Sequence, residues 1–134
     1  MPAMGRILVV DDEAEVRGVL AEFFQALGHD VSQAENGPAA LTLVARSRPD
    51  AVCLDLWMDG MPGLEVLDRL TRTHPEVPVV IVTADPLTDT MQDARARGAF
   101  DYILKPLDFS RLARVVDAAL APDRTPPPSN ADPK

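Results

Sequence analysis

The chain has 134 residues, 46% hydrophobic and 25% charged, which is ordinary for a globular domain with a real core. Its formal net charge of −8 argues against sequence-independent binding to a nucleic-acid backbone and suits a metal cation or a basic partner surface. No apolar run approaches the ~20 residues of a membrane span, no secretory leader is visible, and the lone Cys53 allows no internal disulfide, so we expect a cytoplasmic protein with no membrane segment.

Ile7–Val10 is a fully apolar run ending in Asp11-Asp12 and reads as a buried strand. Val16, Val19, Leu20, Phe23, Phe24 and Leu27 follow at helical spacing, with Gly28 in the closing position. His29–Ala34 is half-polar, as an edge strand should be, and Asn36-Gly37-Pro38 opens a second helix carrying Leu41 and Val44. Ala51–Leu54 is apolar on both faces, the pattern of a strand inside a parallel sheet, and runs into Asp55. Cys53 within that run reads as a small buried hydrophobe. Leu64, Leu67 and Leu70 mark a third helix that stops before His74-Pro75. Val77–Val82 is another buried strand, with Pro78 tolerated near its start, and it ends in Thr83.

Asp85-Pro86 reads as the cap and first turn of a fourth helix that ends at Gly98. Phe100–Leu104 alternates like a second edge strand and ends in Lys105-Pro106. Asp108 caps a fifth helix bearing Leu112, Val115, Val116, Ala119 and Leu120. From Pro122 onward five of thirteen residues are proline and nothing is periodic. The expected division is therefore a domain over residues 1–121 and a proline-rich flexible tail or linker over 122–134.

Five βα units demand a parallel sheet with right-handed crossovers and helices on both faces. Placing the weak second and fifth strands at the edges yields the order 2-1-3-4-5, a flavodoxin-like doubly wound α/β fold of the (βα)5 type. Its switch point, between strands one and three, brings Asp11, Asp12 and Asp55 together at the carboxyl edge. Each polar strand-end residue also has a plain structural reading: Asp55 as a turn or cap, Asp11 and Asp12 as first-turn acids, Thr83 as a cap, Lys105 as a solvated charge. Their shared location at one sheet edge is much harder to explain that way. Three converging carboxylates repel one another, and a hard divalent cation such as Mg²⁺ removes that penalty. A lysine supplies a mobile charge for a phosphoryl oxygen, and a threonine supplies a neutral donor. No base stands next to a Ser or Cys, so triad chemistry is not supported. Phosphoryl transfer to a carboxylate is the strongest remaining reading.

Asp11-Asp12, Asp55 with Met58 and Gly63 behind it, Thr83-Ala84, and Gly98-Ala99 leading to Asp101-Tyr102 and Lys105-Pro106 make residues 5–121 resemble the receiver domain of bacterial two-component response regulators. The resemblance implies a phosphorylation-activated switch with Asp55 as phosphoacceptor, supplied by a histidine kinase, a phosphotransfer protein or a small acyl phosphate. It implies a Mg²⁺ site made by Asp11, Asp12, Asp55 and the backbone carbonyl of Trp57. Phosphoryl contacts would come from Thr83, Ala84 and Lys105, with a cis Lys105-Pro106 bond. Thr83 and Tyr102 would form the switch pair, Tyr102 turning inward as Thr83 moves. Output would pass through the fourth helix, fifth strand and fifth helix to a downstream protein or an effector domain. No nucleic-acid binding is implied, and no substrate beyond the protein itself, so the chain is not expected to be an enzyme in the usual sense.

Three positions depart from the family pattern. Asp59 stands where a proline is usual, and Trp57 is bulky for a position bordering the site. The charged dimer positions of the winged-helix branch carry Met91, Arg111 and Val115, although Asp101 is present. The alternatives are a degenerate receiver serving as a binding scaffold and a small metal-dependent aspartyl phosphohydrolase. Against the latter, Trp57 occupies the place of that class's second acid, and no cap insertion is present.

Overall fold

The computed structural model describes residues 4–126, so the 127–134 part of the expected tail lies outside the described residues. Five strands, β1 (Arg6–Val10), β2 (Asp30–Ala34), β3 (Ala51–Leu54), β4 (Val79–Thr83) and β5 (Asp101–Leu104), alternate with five helices. The helices are α1 (Ala14–Ala26), α2 (Gly37–Arg46), α3 (Gly63–Thr73), α4 (Thr88–Ala96) and α5 (Phe109–Leu120). All neighbouring strands pair in parallel, in the order β2-β1-β3-β4-β5, as the polarity of the strands predicts.

The period-2 alternation of the strands divides the core in two. Leu8, Val10, Val52, Leu54, Val79 and Ile81 face α2, α3 and α4, packing on Ala40, Val44, Val66, Leu67, Leu70 and Ala94. Ile7, Val9, Ala51, Cys53, Val80, Val82 and Ile103 face α1 and α5, packing on Leu20, Phe24, Leu112, Val115, Val116 and Ala119. Burial pushes the Cys53 thiol up to about 12, so it acts as the expected hydrophobe and not as a nucleophile.

Local chemistry explains the element ends. Asn36 caps α2 by accepting the Ala39 N–H at 2.8 Å, and Asp108 caps α5 by accepting the Arg111 N–H at 3.1 Å. The sequence places the start of the fourth helix at Asp85-Pro86, whereas α4 begins at Thr88, and Leu87 before it offers no side-chain cap. The reason is that the Asp85 carboxylate closes a turn onto the Leu87 N–H at 2.9 Å, before the helix starts. Gly63 permits a close approach that positions the site. A Cβ there would lie 2.4 Å from the Leu56 Cα and 2.6 Å from the Asp55 carbonyl oxygen. The first turn of α3 thereby packs directly on the chain leaving β3. No helix of the described residues is long and apolar enough to cross a membrane.

At the opposite edge of the sheet, buried His29 accepts the Gly5 N–H through Nδ1 at 3.2 Å. Burial holds its imidazole below the ordinary 6.5, against the opposing pull of Asp117. As pH falls through 6.5 the unfolded chain takes up this proton before the folded one. Stability from His29 is therefore full above about 6.5 and lost below it. Denaturant midpoints at mildly acidic and neutral pH check this: wild type should lose more stability on acidification than His29→Gln, and equal losses would rule it out.

Candidate functional site

Backbone hydrogen bonds beyond the strands carry the ladder register into the site. The Asp11 N–H donates to the Ala34 carbonyl at 3.2 Å, Asp55 to Val10 at 3.0 Å and Lys105 to Thr83 at 2.8 Å. Asp11, Asp55, Thr83 and Lys105 are thus held at one carboxyl edge by main-chain geometry. Asp11 and Asp55 are buried and Asp12 is exposed. One carboxylate oxygen from each lies within 4.8 Å of the others.

Lys105 reaches into this cluster, its Nζ 3.0 Å from Asp11 Oδ2 and 3.6 Å from Asp55 Oδ2. Burial alone would lower the Lys105 ammonium. The hydrogen bond to Asp11 and the charges of Asp55 and Asp11 outweigh burial and raise its pKa. Burial pushes the Asp55 carboxyl up, and the Asp11 charge adds to this. The Trp57 N–H, the Lys105 charge and the Thr83 hydroxyl pull it down, and the balance is upward. Above its raised pKa the folded state holds a carboxylate it would rather protonate, so this group disfavours folding at neutral pH.

The loops complete the rim. The Trp57 N–H donates to Asp55 Oδ1 at 3.2 Å, while the indole is 63% exposed at the mouth. Asp59 faces solvent, and its N–H donates to Asp12 Oδ2 at 3.2 Å. The Asp59-Gly60 pair takes over the turn where a proline is usual, with Gly60 at φ +83°. Thr83 is fully buried beside the cluster, and Ala84 is exposed next to it. The Lys105-Pro106 bond is cis, as the resemblance implies.

Tyr102 differs from expectation. The ring is not waiting outside: it is 4% exposed, and its hydroxyl donates to the Asp85 carbonyl at 2.8 Å. Three further groups take roles that the sequence reading did not assign. Arg17 donates to the Asp11 carbonyl at 2.7 Å. Asp101 is buried and paired with Arg111 at 3.3 Å and Arg95 at 3.6 Å, tying β5 to α5 and α4. Asp85 is buried in the turn after Thr83. Only Asp85 had a local signal, because Asp-Pro is as good a turn opener as a helix start.

Three carboxylates faced by one lysine keep residual negative charge, and two of them are buried. That all-oxygen donor set fits a hard divalent cation and not a soft one.

Comparisons with known proteins agree with this geometry. The family model of the response regulator receiver domain matches residues 7–117. The nitrogen assimilation regulatory protein NtrX of Azorhizobium caulinodans is 39% identical over 116 residues, covering 85% of this chain and 26% of that protein. Sporulation initiation phosphotransferase F of Bacillus subtilis is 37% identical over 111 residues, covering 83% of this chain and 90% of that one. The crystal structure of the receiver domain of NtrX from Brucella abortus superposes with a TM-score of 0.82 at 38% identity, covering 85% of this chain and 97% of that one. This chain spans about a quarter of the length of the first regulatory relatives, NtrX and AtoC. The chain belongs to the response regulator receiver domain family, the phosphorylation-activated signalling switches of two-component systems.

Proposed function

We propose that this chain switches by accepting a phosphoryl group on Asp55. One observation carries the reading: a buried carboxylate at the end of β3, with Lys105 Nζ 3.6 Å from its Oδ2 and two further carboxylates within 4.8 Å. In the proposed reaction an Asp55 oxygen attacks the phosphorus of a phosphohistidine or an acyl phosphate. The bond from phosphorus to the donor breaks, and the donor leaves with its electron pair. Lys105 exchanges its contacts with Asp11 and Asp55 for a phosphoryl oxygen, and the Thr83 hydroxyl supplies a second donor. Asp11, Asp12, Asp55 and the Trp57 carbonyl would hold Mg²⁺, which would supply charge neutralisation at the phosphoryl oxygens. The protein is its own substrate, catalysing its own phosphorylation and dephosphorylation.

The proposed donor is a histidine kinase or phosphotransfer protein, met in the cytoplasm. The proposed output face is α4, β5 and α5, leading to a downstream protein or an effector domain. α4 suits a responsive element, since Ala94 is its one fully buried residue and exposed Leu87 precedes it without a cap. The acidic chain has no evident affinity for a nucleic-acid backbone.

Intact mass after incubation with acetyl phosphate and Mg²⁺ tests the acceptor. Wild type should gain one phosphoryl group and Asp55→Asn none, whereas an equal gain in both would move the acceptor elsewhere. Lys105→Ala should leave the thermal stabilisation by Mg²⁺ largely intact yet abolish the amide shifts of α4 on adding beryllofluoride. Shifts matching wild type would remove Lys105 from the response.

A further inference from the structure

Each of the three clustered carboxylates accepts one main-chain N–H, but the three bonds differ in origin. Asp11 accepts from Glu13 at 2.9 Å and Asp55 from Trp57 at 3.2 Å, each two residues along the chain. Such bonds form wherever the local chain turns. Asp12 Oδ2 accepts from the Asp59 N–H at 3.2 Å, across 47 residues of sequence. Asp11 and Asp55 are also buried and lie beside Lys105, at 3.0 and 3.6 Å. Asp12 has neither support. It is exposed, no cation among the described residues pairs with it, and the Asp59 N–H is its one hydrogen-bond partner there. The Asp59 side chain faces solvent, so its main-chain N–H is what reaches the site. A proline in this place would have no N–H to give. A carboxylate has lone pairs enough for both an N–H and a cation, so the bond orients Asp12 without occupying it.

We propose that Asp59 is a positioning residue whose main-chain N–H clasps Asp12, the one exposed carboxylate of the cluster, in the place where it joins Asp11 and Asp55 on a divalent cation. The inference deepens the Mg²⁺ reading of the acid cluster and rests on it. An exposed aspartate held by nothing samples several rotamers and loses that freedom when it takes a metal. The clasp removes part of that loss before the cation arrives, as hydrogen-bond partners of metal-binding carboxylates generally do. It also ties the chain after β1 to the chain after β3, the two segments that supply all three acids and Trp57. Gly60, at φ +83°, lets the chain turn directly after the donating N–H. The Asp59 carboxylate has no part in the clasp, so the identity of this residue matters through its N–H and not through its charge.

The clasp is read without metal from the rate at which the Asp59 amide exchanges with water, measured by NMR on the full chain in EDTA. Asp12→Ala should exchange this amide about five- to tenfold faster than wild type, the change expected from losing an ordinary hydrogen bond. Asp12→Asn, which keeps an acceptor without the charge, should stay close to wild type. An alanine variant as slow as wild type, or an asparagine variant as fast as alanine, would overturn the clasp. Its consequence is read from Mg²⁺ titrations followed by the fluorescence of Trp57, the only tryptophan. Asp59→Ala keeps the N–H and drops the charge, and its dissociation constant should lie within about threefold of wild type. Asp59→Pro drops both and should bind about tenfold more weakly, the lower end of the loss expected when a metal ligand loses its hydrogen-bond partner. Proline as tight as alanine would overturn the positioning role. Alanine as weak as proline would assign the effect to the carboxylate and overturn it equally. If Mg²⁺ changes neither the fluorescence nor the melting temperature of wild type, the Mg²⁺ reading fails, while the exchange rates still decide the clasp.

Discussion

Mutual repulsion among Asp11, Asp12 and Asp55 is the constraint on which the rest of this molecule depends. Two of the three are buried, one oxygen of each lies within 4.8 Å of the others, and main-chain hydrogen bonds hold Asp11 and Asp55 at the same sheet edge. Lys105 answers part of that charge, held in place because β5 pairs in register with β4. Arg17 adds a second cation on the Asp11 carbonyl. Burial, with the Asp11 charge added to it, raises the pKa of Asp55, and the site is left ready for a cation and a phosphoryl oxygen. A structure optimised for stability alone would not gather these groups.

Around this edge the polar interactions are graded. Asp101 is sealed between Arg111 and Arg95, so its charge is answered within the chain. This agrees with the absence of the winged-helix branch's charged dimer pattern at Met91, Arg111 and Val115. α4 is held by little apolar burial and by Arg97 pairing with Asp68 and Asp93 near its carboxyl end. Its amino end, at Leu87, has no cap. Firm at one end and weakly fixed at the other, α4 is the element that a small change at Thr83 can most easily move.

Much of this was legible in the sequence because strands and their ends are written in short local signals. Apolar runs ending in Asp11, Asp55 and Thr83, between half-polar edge strands, dictate a 2-1-3-4-5 sheet. That sheet alone brings those residues to one edge. Three features were less legible. Asp85-Pro86 supports both a helix start and a turn, and the Asp85 carboxylate on the Leu87 N–H settles it as a turn. The inward placement of Tyr102 depends on a carbonyl 17 residues away in the chain, a relation no local pattern encodes. Asp101 reads as an exposed alternation in an edge strand, yet it is buried because arginines from two helices converge on it. The last two depend on contacts between elements and not within one.

The most direct test of the central claim compares unfolding free energies of wild type and Asp55→Asn, first in EDTA and then in millimolar Mg²⁺. If the cluster is strained by its own charge, Asp55→Asn is the more stable protein in EDTA. Mg²⁺ then stabilises wild type more than the variant, by up to about 2.7 kcal/mol at 100 times its dissociation constant, and narrows or reverses the gap. An Asp55→Asn protein less stable than wild type in EDTA, or an equal Mg²⁺ increment in both, would contradict the account.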